Sequence, residues 1–369
     1  MERPIFKPLG TPVEELDTPT LVVDADVLER NIETMASFFA NSRARLRPHV
    51  ESHLCPTIAH KQLTACGTVG GIAVTTLGQA EVFAANGFSD ISVTNVLVTP
   101  QKIARLCALA RHASMTVAVD DAKNVDDLSE AASQYGVTLT VIVDVHTRLD
   151  RCGVEPGRPA VELANAVARS EGLDFAGLMT YEGPILEEDP EMLANESRKW
   201  IQMVLDTREM VEKAGIDVRV VSVGGTHNYE IAASIDGVTE VPAGTYALMD
   251  HRYAAHRTQF EPAARVISAV TSIPEPGIVI TDAGQKAVGA DTGLPSIDNI
   301  PGATVHGLSA EHGNLDVDPA LHGRINLEDR VWMTPWDIGT CVNLHDYMSV
   351  VRDGRLEAVW EVSARGRYR

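Results

Sequence analysis

Between about residues 20 and 244, short β-branched runs alternate with longer stretches whose apolar residues recur at helical spacing. The strand-like runs fall at 45–49, 72–75, 91–94, 116–119, 138–143, 175–180, 218–223 and 240–243. Segments 77–86, 100–111, 125–134 and 188–214 carry the helical period between them. Turn signals stand where helices should stop, at Asn86-Gly87, Tyr135-Gly136 and Ala214-Gly215. Eight strands alternating with helices predict a (β/α)₈ barrel of the TIM type, with a doubly wound sheet as the competing arrangement. Beyond about residue 257 the texture changes. Strand-like runs at 264–273, 277–282, 331–334, 347–352 and 355–362 follow one another without long helical stretches, which predicts a C-terminal antiparallel β domain. Residues 20–25 read as a strand that pairs with it, ahead of a helix at 27–39. The expected division is a barrel over 20–256 and a β domain formed by 1–19 and 257–369.

Composition narrows the partners. Of 369 residues, 44% are hydrophobic and 22% charged, enough apolar material for a large core. With 31 Lys and Arg against 51 Asp and Glu, the net charge is −20, a surface that repels phosphate backbones and anionic lipid. Nucleic-acid and membrane partners are therefore not expected; a small-molecule substrate is. The five cysteines, Cys55, Cys66, Cys107, Cys152 and Cys341, are widely spaced and form no CxxC pair, so they read as reduced thiols of a cytoplasmic protein. The first residues lack the apolar core of a secretory leader, and no apolar run approaches the roughly 18 residues of a membrane helix.

In a β/α barrel, chemistry belongs to the C-terminal ends of the strands. Those ends carry Arg47, His49 and Glu51, then Asp144, His146, Arg148, Asp150 and Arg151, then Tyr181 and Glu182, then Gly225, Thr226, His227 and Asn228, and finally Gly244, Thr245 and Tyr246. Titratable groups on several strand ends facing one mouth point to an active site. Several residues also have plain structural readings. Arg47 and His49 are as readily core partners as substrate contacts, His53 and Cys152 read as structural, and Gly78 and Gln79 read as helix-capping chemistry.

The blocks RPHVESHLCP (47–56), DVHTRLDRCGV (144–154), TYEGP (180–184), VGGTHNY (223–229), PAGTY (242–246), TDAGQKA (281–287), AEHGNL (310–315) and CVNLHD (341–346) resemble the D-threonine aldolase / D-serine dehydratase family. These are alanine-racemase-like enzymes of pyridoxal phosphate, and the resemblance spans nearly the whole chain. It implies a cofactor-binding barrel, a β domain and a homodimer in which His312 and Asp337 approach a partner's barrel mouth. It also implies phosphate contacts at Gly225, Thr226, Gly244 and Thr245. Four departures follow from the same comparison. The family's Schiff-base lysine falls on Glu51, its metal pair falls on Asp337-Ile338-Gly339, small residues of the phosphate stretch become His227 and Asn228, and His146 stands where the family usually has aspartate. A carboxylate cannot form an aldimine, so a covalently held pyridoxal phosphate is not expected.

Glu51, His146 and His227 together form a carboxylate-and-imidazole set suited to a divalent cation, with His312 and Asp337 as the alternative ligands. The expected activity is a lyase that cleaves or dehydrates a small β-hydroxy acid or β-hydroxy amino acid with a metal in place of the pyridine ring. His146 or His227 would move the proton alongside Glu51 and Tyr181, and Arg47, His49, Arg148, Arg151, Asn228 and Tyr246 would bind substrate. Two alternatives stand beside it: a non-catalytic relative kept for binding, and an aldolase holding pyridoxal phosphate without a covalent bond.

Overall fold

A computed structural model describes residues 6–369. It separates into two compact units, one built from residues 35–51, 58–244 and 366–369, the other from the preceding N-terminal residues, 52–57 and 245–365.

The first unit is the barrel. Its strands are β1 (Arg45–Pro48), β2 (Ile72–Val74), β3 (Asp90–Val96), β4 (Ser114–Val119), β5 (Leu139–Asp144), β6 (Leu173–Met179), β7 (Val220–Ser222) and β8 (Glu240–Ala243). They form one parallel sheet in the order β1-β8-β7-β6-β5-β4-β3-β2. The Leu46 amide donates to Gly67 O and the Val69 amide to Leu46 O, both at 2.9 Å, and a parallel bridge joins His49 to Ala73, which draws β1 and β2 together and nearly closes the ring. All eight strands coincide with the runs read from the sequence. Buried apolar side chains such as Ala118, Ile142 and Met179 pack inside, the usual filling of a barrel this narrow.

Local chemistry fixes the helices between them. Helix Leu77–Ala85 is capped as the sequence suggests: Thr76 Oγ1 accepts from the Gln79 amide at 3.3 Å, while Gln79 Oε1 accepts from the Thr75 amide at 2.9 Å. Asp121 and Asp189 cap Ala122–Tyr135 and Pro190–Lys213 in the same way, and Gly136 ends the former in the left-handed conformation at φ 64°. Helices Pro56–Thr64, Arg158–Arg169 and Tyr229–Ser234 add to those read from periodicity.

Among the described residues the second unit is a mixed sheet of nine strands. Ala264–Glu275 is its long central strand, pairing antiparallel with Thr20–Asp24, Ile278–Thr281 and Arg330–Thr334. Thr20–Asp24 also pairs parallel with Tyr347–Arg352, which leads into Arg355–Glu361, so the early strand joins this sheet as expected. Strands Thr304–Leu308 and Gly313–Asp316 were not read from the sequence. No helix of the described residues is long and apolar enough to cross a membrane.

Candidate active site

The loop after β5 is bent back over the strand ends by its own hydrogen bonds. The Val154 amide donates to Asp144 O at 2.9 Å and the His146 amide to Val154 O at 2.8 Å. Gly153 sits at φ +113°, where a Cβ would lie 2.5 Å from the His146 nitrogen, so only glycine fits. Its amide donates to Asp120 Oδ2 at 3.1 Å, anchoring the loop to the end of β4. Thr180 Oγ1, at the end of β6, donates to Val145 O at 2.8 Å. This fold-back brings His146 and Arg151 beside the buried Asp144 carboxyl.

Charges there are tuned by burial. Desolvation pushes the Asp144 carboxyl up to about 7; Arg151 and His146 pull against it and Asp120 reinforces it. His49, at the end of β1, is lowered to about 4 by burial and by the nearby Arg151 charge, so its imidazole is neutral at pH 7. His49 Nε2 lies 3.4 Å from Thr94 Oγ1 of β3. Arg151 is exposed; its guanidinium stands 5.8 Å from the centre of the Tyr181 ring, and among the described residues no carboxylate lies within ion-pair distance of it. The half-exposed His146 ring places Nδ1 3.4 Å from Glu155 Oε1. Arg148 is directed elsewhere, donating to Glu182 O at 3.2 Å and Pro184 O at 3.5 Å.

A second polar cluster lies beneath the loop after β7. Gly224, at φ +80°, starts a turn in which the Gly225 amide donates to Asn228 Oδ1 at 3.0 Å. Asn228 Nδ2 donates to Glu182 Oε1 at 2.6 Å and to Ser197 Oγ at 3.2 Å. His227 Nε2 lies 3.6 Å from Glu182 Oε1. Glu182 and Asn228 are 0% exposed and His227 is 1% exposed. Burial opposes the Glu182 charge, but His227 and the Asn228 amide hold its carboxyl below the ordinary range. Glu182 Oε2 and both His227 ring nitrogens remain without a hydrogen-bond partner.

Several sequence expectations are corrected by this geometry. Arg47 is not a mouth residue. Its Nε contacts both oxygens of Glu240 at 3.0 Å and its Nη1 contacts Asp90 at 3.1 Å, partners that open β8 and β3. Against the cost of burial, Glu240 and Asp90 raise its pKa further. Asn228 and His227 are sealed in and cannot meet a substrate from solvent. Tyr246 belongs to the other unit, fully buried against Phe260 with ring centres 5.8 Å apart. Gly244 answers to packing, since a Cβ would lie 2.1 Å from His49 O. Glu51, His146 and His227 do not converge: among the described residues no group of three His, Cys, Asp or Glu side chains is arranged to hold a metal. Glu51 is exposed, His146 faces Glu155, and His227 is locked against Glu182. The alternative pair is likewise occupied. Asp337 Oδ1 caps helix Ile338–Val342 by accepting from Thr340 N at 2.8 Å, and His312 is exposed in a turn beside Ser309. Asp144 stands among the strand-end residues of the sequence but is assigned no role there, and Asp120, which directly follows β4, is not among the candidates.

The alanine racemase N-terminal domain family matches residues 23–251, and a serine dehydratase domain matches residues 263–351. The chain belongs to the alanine racemase N-terminal domain family. Within it, this chain is 36% identical to a D-threonine aldolase of an Arthrobacter species over 362 residues, covering 97% of this chain and 95% of that protein. It is 32% identical to a 3-hydroxy-D-aspartate aldolase of Paracoccus denitrificans, covering 97% and 94%. The solved D-threonine aldolase of Filomicrobium marinum superposes with a TM-score of 0.93 at 35% identity, covering 98% of this chain and 99% of that one.

The family implies pyridoxal phosphate, and the residues present do not fit its covalent attachment. None of the seven lysines belongs to a barrel strand. Lys61, Lys102, Lys123, Lys199, Lys213 and Lys286 are inside helices, and Lys7 is in the N-terminal segment. Residue 51 is an exposed glutamate.

Proposed function

We propose that the chain is a lyase that cleaves or dehydrates a small β-hydroxy acid or β-hydroxy amino acid at the C-terminal end of the barrel. The observation that carries this reading is Arg151, an exposed guanidinium without a carboxylate partner among the described residues, beside His146 and the buried Asp144. An unpaired guanidinium at strand ends is suited to a substrate carboxylate, which it grips through two parallel N–H donors. Relatives named as aldolases and dehydratases of hydroxylated D-amino acids support the substrate class.

In this reading Arg151 holds the carboxylate and His146, steered through Nδ1 by Glu155, presents its other nitrogen to the β-hydroxyl. For cleavage, the imidazole takes the hydroxyl proton, the Cα–Cβ bond breaks, and its electron pair moves to Cα as the aldehyde leaves. Charge then spreads into the carboxylate paired with Arg151 as an enediolate, and the imidazolium that took the hydroxyl proton returns it to Cα. Tyr181 and the neutral His49 wall the space. The chain is proposed to work as a homodimer in the cytoplasm, which follows from the family resemblance and the reduced thiols.

The test is incubation of the purified protein with D- and L-β-hydroxy amino acids and 2,3-dihydroxy acids, scoring aldehyde and keto-acid release. Product formation that Arg151→Met lowers by about 10²-fold supports the reading. A second reading, a non-catalytic binding protein, is favoured by Glu51 standing where the family lysine falls. It is supported if calorimetry detects carboxylate binding with no product from any substrate.

A further inference from the structure

We infer that the loop after β7 is closed against a phosphorylated cofactor by its own side chains, with the buried Glu182 carboxylate as the anion that this loop serves. A loop that cradles phosphate does so with free backbone amides and a surplus of positive potential. Here the Gly225 amide is already taken by Asn228 Oδ1 at 3.0 Å. Releasing it means rotating Asn228, which breaks the 2.6 Å bond to Glu182 and the 3.2 Å bond to Ser197. All of this lies out of reach of water, so every broken bond leaves a buried group unsatisfied.

Charge points the same way. Asn228 spans Gly225 and Glu182, so a phosphate at the Gly225 amide would share one side-chain amide's reach with a buried, ionised carboxylate. Like charges that close repel strongly where the dielectric is low. Side chains stand close as well. A Cβ placed on Gly225 would lie 3.3 Å from His227 Nδ1 and 3.6 Å from the Tyr181 ring, so imidazole and phenol border the Gly225 backbone. The His227 imidazole and the Asn228 amide thus converge on an internal carboxylate, with Ser197 Oγ holding the amide from its other side, and the site does its work without pyridoxal phosphate. The inference is separate from the lyase reading, because cofactor binding is read without turnover.

The experiment titrates the intact protein with pyridoxal phosphate and with pyridoxal, following the absorption spectrum and, after borohydride, the mass and position of adducts. The expected result is equal, non-saturating labelling by both compounds, confined to helix lysines. A saturable, stoichiometric complex with pyridoxal phosphate that is tighter than with pyridoxal and displaced by inorganic phosphate overturns the inference. The double variant His227→Gly/Asn228→Ser empties the loop and should bind pyridoxal phosphate at least tenfold more tightly than the natural chain. Equal binding by the two also overturns it. If the double variant does not fold, the comparison of the two aldehydes on the natural chain decides alone.

Discussion

The Asn228 side-chain amide donates to Glu182 Oε1 at 2.6 Å, with both residues wholly buried. The bond ties the end of β6 to the end of β7 and keeps a carboxylate charged inside the barrel unit. Removing the amide deprives a buried carboxylate of a charge-assisted hydrogen bond, which costs about 1.5–3 kcal/mol. Asn228→Leu should therefore lower unfolding free energy by about that amount in urea titration. A loss under about 1 kcal/mol would mean that His227 alone satisfies the carboxylate.

Asp144 gives a pH signature. Its carboxyl, 7% exposed, is raised from 3.8 to about 7 in the folded chain, chiefly by burial. The folded state therefore holds a proton that the unfolded chain has released between those values, and stability falls as pH rises from about 4 to about 7. Asp144→Asn removes that penalty. A tenfold difference in proton affinity between the folded and unfolded chain is worth about 1.4 kcal/mol. The variant should therefore gain about 1–3 kcal/mol relative to the natural chain at pH 8, and the gain should vanish at pH 4. Parallel denaturant titrations at the two pH values check it; a difference independent of pH would show that Asp144 is ionised in the fold at both.

Arg47 separates structural from functional roles. It holds Glu240 and Asp90 at once with a side chain only 11% exposed. Arg47→Met should destabilise the fold by about 3–5 kcal/mol, because two carboxylates lose their counter-charge. Urea titration measures it. A variant that keeps its stability but loses substrate affinity would return Arg47 to the mouth.

The eight barrel strands were legible because β-branched runs bounded by Gly and Asn recur at regular spacing. Helix Arg158–Arg169 was missed although Gly157 and Pro159 mark its start, and Thr304–Leu308 was missed because a histidine and a glycine interrupt a short strand. The site was legible as a set of strand ends but not as a set of partners. Arg47 and His49 stand two apart on one strand end, yet the acids that claim Arg47 are 43 and 193 residues away. His227 and Asn228 look like mouth residues until Glu182 and Ser197, from distant segments, are seen to enclose them. Asp144 is visible at its strand end but gets no role from the sequence, because a carboxylate closing an apolar strand shows nothing of its burial until the following loop folds back.

Arg151 supplies the most direct test of the proposed site. Its charge is one of two influences that lower the His49 pKa, the larger being burial. Arg151→Met removes the charge and leaves the burial, so the His49 pKa should rise part of the way from about 4 toward 6.5, as read by NMR titration of its ring protons. The same substitution should raise the Asp144 pKa further, because Arg151 is the leading influence pulling it down. Loss of the carboxylate anchor should lower kcat/KM for a β-hydroxy acid by about 10²-fold, a charged hydrogen-bonded pair being worth roughly 1.5–3 kcal/mol. Arg151 has no ion-pair partner to strand among the described residues, so stability should change by less than about 1 kcal/mol. If the His49 and Asp144 shifts appear and substrate affinity does not change, Arg151 tunes its neighbours but does not hold the substrate.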